Sequence, residues 1–213
     1  MVTFRSVIAV SGAAALGLVA VAAAPAATAS DARTAVAAAA NRQPAFLSPG
    51  QMPPSSTPWT ADPVTRGLPE TGVFCSPDTF PEQGTRHRTF RTELDTGGVQ
   101  VTTVASTEAK AAALVEALRQ ALLSCGERIE QQYPGTDASS LFHGKLAVEE
   151  GAYVYSLDTA NPEIGNTDIH LFSVGRDGRA VTYVQWGQMG DLEDAPLTAF
   201  QNTTRTAVNK LYP

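Results

Sequence analysis

Cysteine is scarce in this chain of 213 residues: there are two, Cys75 and Cys125. Two thiols exclude a disulfide-dense scaffold and a four-thiolate zinc site. Histidine numbers three, and no two of His87, His143 and His170 share the i,i+2 or i,i+4 spacing that turns a pair of imidazoles towards one metal. The reading is no metal and no cofactor. Lysine is rarer than arginine, three against twelve, and the net charge is −6 with no basic block. An acidic balance of this kind excludes nucleic acid and anionic membrane surfaces as expected partners. No P-loop, Rossmann glycine pattern, EF-hand loop or G-x-S-x-G elbow occurs. After residue 24 no apolar run approaches the roughly 18 residues of a membrane span. Apolar residues themselves are not scarce. At 43% hydrophobic they suffice for a core, which excludes a chain disordered throughout.

The N-terminus reads as an address. Arg5 supplies a short positive region, Val7 to Ala24 carry no charge, and Ala27-Thr28-Ala29 forms an A-x-A cleavage site. Residues 1–29 are therefore expected to be a signal peptide, cleaved after Ala29, giving a secreted protein without stable membrane insertion. No cysteine lies near that site to accept a lipid. Residues 30–62 are expected to be a Pro/Ala-rich leader. Ala35 to Ala40 form a small-residue run without an amphipathic stripe, and prolines 49, 53, 54 and 58 oppose sheet interior. Trp59 is expected to pack on the domain surface.

Residues 63–213 are expected to form one domain. Arg86 to Leu94 and Val99 to Ala105 flank Asp95-Thr96-Gly97-Gly98 and predict a hairpin. Ser106 is expected to cap a helix running to about Gln131, with Leu114, Leu118, Leu122, Cys125 and Ile129 on one stripe and Gly126 weakening it. A second hairpin is expected around Glu150-Gly151, pairing Leu146 with Tyr155 and Val148 with Tyr153. A third turns at Asp177-Gly178, pairing Ile169 with Trp186 and Leu171 with Val184 on one face. Its other face pairs His170 with Gln185, Phe172 with Tyr183 and Val174 with Val181. A last helix follows Asp191 to Asp194, with Leu197, Phe200, Val208 and Leu211 on one side. The order ββα-ββ-ββα predicts an α+β fold: an antiparallel sheet built from hairpins, with the two main helices on one face.

An even cysteine count in an exported chain favours a Cys75–Cys125 disulfide, pinning the segment before the first strand to the helix. Arg86-His87-Arg88, with Arg91, reads as a solvent-facing edge strand where charge blocks sheet-to-sheet pairing, or alternatively as an anion site. The acid pairs Glu149-Glu150 and Glu193-Asp194 fall at a turn and a helix start, where exposed acids serve structure. The sequon Asn202-Thr203-Thr204 falls inside the last helix. One surface suggests a ligand: the second face of the third hairpin, where His170, Phe172, Tyr183 and Gln185 combine aromatic bodies with polar tips. The competing reading has another segment covering it, such as the leader with Trp59.

The run Val99-Gln100-Val101-Thr102-Thr103-Val104, then Ala105-Ser106-Thr107-Glu108-Ala109 and a helix reaching Cys125, resembles the PknH-like extracellular sensor domain of actinobacterial exported proteins. The stretch from Gly151 to Val184-Gln185-Trp186-Gly187 is similar to the C-terminal half of that domain. The resemblance covers roughly residues 63–213. It implies an α+β domain with a sheet, a groove and extracytoplasmic ligand sensing, and it carries no catalytic residue across. Members often hold two disulfides, whereas this chain has cysteines for one. The expected function is thus a secreted, non-catalytic domain that binds a small ligand, not an enzyme. Alternatives are a module docking on another exported protein, as a protease inhibitor would, and a small hydrolase.

Overall fold

The computed structural model describes residues 43–76 and 79–212. The expected signal peptide and the alanine run lie outside these described residues. Eight strands form one antiparallel sheet. They are β1 (Thr60–Ala61), β2 (Thr65–Arg66), β3 (Thr85–Arg91), β4 (Gly97–Val104), β5 (Asp137–Leu146), β6 (Ala152–Asn161), β7 (Asn166–Asp177) and β8 (Ala180–Met189). The spatial order is β1-β3-β4-β8-β7-β6-β5, with β2 also on the outer edge of β3. The described helices are α1 (Glu108–Leu123), α2 (Cys125–Gln132) and α3 (Leu197–Asn209). The fold is α+β, as the hairpin order implies. No described helix is long and apolar enough to cross a membrane.

The helices do not share a face. Along β7, Phe172 and Val174 join a core with Leu114, Leu118 and Leu122 of α1. Ile169 and Leu171, pointing the other way, join a second core with Phe200, Ala207 and Val208 of α3. Successive residues of a strand alternate faces, so α1 and α3 cover opposite sides. The expectation of both on one face is corrected for a physical reason. The central strands are apolar on both faces, and each face needs its own cover. Gly175 fits the second cover, because a Cβ there would lie 2.6 Å from Val208 Cγ2.

The expected domain start at Pro63 is also corrected. Phe46, Leu47 and Met52 are buried, and Leu47 and Met52 belong to the second core. The Leu47 amide donates to Gln100 Oε1 (2.7 Å), and the Ala45 amide donates to the Lys210 carbonyl (2.9 Å). The basic strand explains the rest. Arg86 donates to the Pro44 carbonyl (2.8 Å), and Arg88 donates to the carbonyls of Asp62 (2.8 Å) and Leu47 (2.9 Å). Arg91 pairs with Asp62 at 2.8 Å. These arginines guard no bare edge, since β1 and β2 occupy it and the chain from 44 to 62 lies over it. Trp59 packs against the second core with its Nε1 donating to the Pro53 carbonyl at 2.6 Å.

Register departs from expectation in two hairpins. Asp177 pairs with Ala180, so the tight turn is Gly178-Arg179, with Gly178 at φ +51. Phe172 then faces Gln185, Val174 faces Tyr183, and His170 faces Gly187. Every partner moves by two positions, which keeps each residue on its expected face. In the second hairpin Leu146 pairs with Ala152 across residues 147–151, Phe142 pairs with Tyr155, and a bulge falls between Phe142 and Gly144. The first helix is capped not by Ser106 but by Thr107, whose side chain accepts from the Lys110 amide. It breaks at Ser124. Gly126 follows the break because a Cβ there would sit 2.9 Å from the Ala138 carbonyl of β5.

Candidate functional site

The sheet face beneath α1 is not covered uniformly. Near the ends of β4, β8 and β7 the helix layer gives way to α2 and to residues 69–76, leaving a cavity of about 670 Å³. Its floor is built from cross-strand neighbours. Gly97 of β4 pairs with Gly187 of β8, and Gly187 also pairs with His170 of β7. A Cβ on Gly187 would lie 2.3 Å from His170 Nδ1, so the missing side chain makes room for the imidazole. A Cβ on Gly97 would meet nothing nearer than the Phe90 carbonyl at 4.0 Å, so the floor there is open space. Val99, Gln185 and Asp168 complete the floor; Val73, Phe74, Ile129 and Tyr133 supply apolar wall.

The wall is held by three bonds that converge on one turn. Cys75 and Cys125 form a disulfide with Cα atoms 5.4 Å apart, joining the segment to the start of α2. The Tyr183 hydroxyl donates to the Phe74 carbonyl at 2.9 Å. Arg128 Nη2 donates to the Cys75 carbonyl at 2.8 Å. Cys75 is held at φ +65, a left-handed conformation that costs a non-glycine residue about 1–2 kcal/mol. The Phe74 ring is thereby laid 4.8 Å from the His170 ring.

Of the four residues expected to contact a ligand, two line the cavity and two do not. His170 and Gln185 face it. Phe172 and Tyr183 are 1% and 0% exposed and lie in the core under α1, Val73 and Phe80. The correction follows from the cover: this face is closed by residues 73–76 and Phe80, not by the leader with Trp59. Burial raises the Tyr183 phenol far above its ordinary range, so it stays protonated and donates. The residues that sequence reasoning missed are Gly97, Gly187, Phe74, Asp168 and Tyr133. The Gly97-Gly98 pair was legible as a turn, and its role as floor depends on pairing with β8.

Electrostatics in the cavity are lopsided. Among the described lining residues Arg128 is the one Lys or Arg, and its guanidinium also serves the Ala121 carbonyl and the Ser124 hydroxyl. His170 has a buried Nδ1 without a hydrogen-bond partner. Burial holds its pKa below the ordinary value, against a smaller opposing pull from Asp168. The Asp168 carboxylate takes part in none of the three ion pairs among the described residues. The cavity thus offers an imidazole held towards its neutral form, amides and the two carboxylates of Asp95 and Asp168. Among the described residues no three His, Cys, Asp or Glu side chains converge as a metal site would require. His143 Nε2 and Ser156 Oγ lie 2.8 Å apart. Ser156 is 2% exposed and sits on the opposite sheet face, so this hydrogen bond satisfies a buried hydroxyl away from the cavity. No family model matches the chain, and no curated protein matches it.

Proposed function

We propose that the protein is an exported, non-catalytic ligand-binding domain of the sensor type, akin to the PknH-like extracellular domains it resembles, and that its ligand occupies the cavity over Gly97 and Gly187. The observation that carries this reading is the floor itself. Gly97 faces open space, and beside it Gly187 makes way for the His170 imidazole, whose buried Nδ1 has no hydrogen-bond partner. Binding cavities of this size combine apolar walls with a few converging polar groups, as here. A disulfide suits an oxidising compartment, and export with cleavage after Ala29 fits both.

The test uses the space above Gly97. Leucine there would intrude on the floor of the cavity, and its Cβ has room, since the nearest atom is 4.0 Å away. The neutral fluorophore N-phenyl-1-naphthylamine is expected to brighten with the native protein and to brighten far less with Gly97→Leu at unchanged thermal stability. Equal brightening of both proteins would overturn the assignment of the site.

A further inference from the structure

A second hollow of about 430 Å³ lies beside the main cavity, and Gln132 and Tyr133 line both. Its floor continues the same sheet face. Asn166 sits two residues before Asp168 on β7, and its neighbour Asn161 sits on β6. Asn166 and Asp168, with His170 two residues further on, form a polar row along one strand from one hollow into the other. Tyr133 stands between them, 52% exposed. The Asn166 Oδ1 is buried without a hydrogen-bond partner, as is His170 Nδ1.

The chemistry of this trough selects among ligands. Among its described lining residues the one Lys or Arg, Arg128, is spent on three protein oxygens, and two carboxylates, Asp95 and Asp168, line the same space. A fatty acid or phosphate would meet negative charge with no free cation, which disfavours anions. Amide side chains both donate and accept, as sugar hydroxyls do. A carboxylate accepts from hydroxyls, and an exposed tyrosine ring offers an apolar face with a polar tip. Two hollows in line, divided by such a ring, suit a chain of units more than one compact molecule.

Resting on the cavity reading above, we infer that the trough from Gly97 past Tyr133 to Asn161 binds a neutral oligosaccharide spanning both hollows, with Tyr133 as the stacking surface and Asp168 and Asn166 as hydroxyl partners. The experiment is calorimetric titration of the full chain with chitotriose, cellotriose and maltotriose. Tetramethylammonium and decanoate serve as the cationic and anionic comparisons. At least one trisaccharide is expected to bind, more tightly than its monosaccharide, with little dependence on salt because the ligand is uncharged. Tyr133→Ala, an exposed position that leaves the fold intact, is expected to weaken it about tenfold. Gly97→Leu is expected to abolish the gain over the monosaccharide. Failure of all three trisaccharides, or unchanged affinity in Tyr133→Ala, overturns the inference. If tetramethylammonium or decanoate then binds and Gly97→Leu blocks it, the cavity reading survives with a different ligand class. If the naphthylamine probe fails as well, both fall together.

Discussion

The imidazoles of His170 and His143 are both held below their ordinary pKa by burial. The unfolded chain takes up protons near pH 6.5, while the folded protein leaves both rings neutral until lower pH. Between those two values the unfolded state binds more protons, so stability rises with pH across that window. The contribution is complete above about pH 6.5 and is lost as pH falls towards the folded values. The thermal midpoint is therefore expected to drop from about pH 7 to about pH 5. His170→Gln should flatten part of that slope, and a double variant with His143→Gln should flatten more. An identical slope in the double variant would show that neither ring is buried in the neutral form. Cys75 permits a second residue-level test, because it sits at φ +65. Removing a disulfide that closes 50 residues costs about 4 kcal/mol on the chain-entropy model. Glycine tolerates the left-handed region and alanine does not. Urea unfolding is thus expected to rank native protein first, Cys75→Gly/Cys125→Ala second and Cys75→Ala/Cys125→Ala third. Reversal of the last two would mean that the turn relaxes once the bond is gone.

At the scale of elements, legibility in the sequence followed periodicity. The third hairpin showed its faces correctly although its turn lies one residue later, because a shift of two positions leaves the alternation intact. The sequence marks the first strand of the second hairpin only from Gly144 to Glu149, whereas β5 begins at Asp137. Residues 137–143 carry Ser139 and Ser140 on an edge strand, where half-exposed polar residues blur the alternation, and the bulge at His143 breaks its phase. The helix stripe from Leu114 to Ile129 was plain from its spacing of three and four, and four of its five residues are buried. The side each helix takes was not plain, because a chain leaving a hairpin turns to either face. The cover over Phe172 and Tyr183 was hidden for a different reason. Residues 69–76 have no period at all, and only the cysteine pair tied them to the helix layer. A surface that looked open along the strand is closed by a segment far away in sequence, and the cavity survives where that cover stops, over two glycines.

For the whole molecule, the consequence lies in the second core. Its N-terminal part comes from a stretch that composition alone marks as linker, yet Leu47 is fully buried and Met52 nearly so. Met52 packs where Gly98 lacks a side chain, its Cε 2.8 Å from the position a Cβ would take. Three strand arginines, Gln100 and the Thr203 hydroxyl bind the same stretch. Burying each large apolar side chain contributes about 1.5–3 kcal/mol, so the segment is a sizeable fraction of a domain stability of about 5–15 kcal/mol. A chain beginning at Pro63 should therefore unfold at markedly lower urea than one beginning at Arg42. The shorter chain keeps one of the two tryptophans, Trp186, which shares its core with Leu47 and Met52. Its emission is expected to shift to the red once that side is uncovered. Equal urea midpoints and an unshifted Trp186 would reduce the stretch to a passive strap and return the domain boundary to Pro63. The intermediate result, a lower midpoint with unshifted emission, would assign the loss to the arginine and Gln100 hydrogen bonds, with α3 alone sealing the indole.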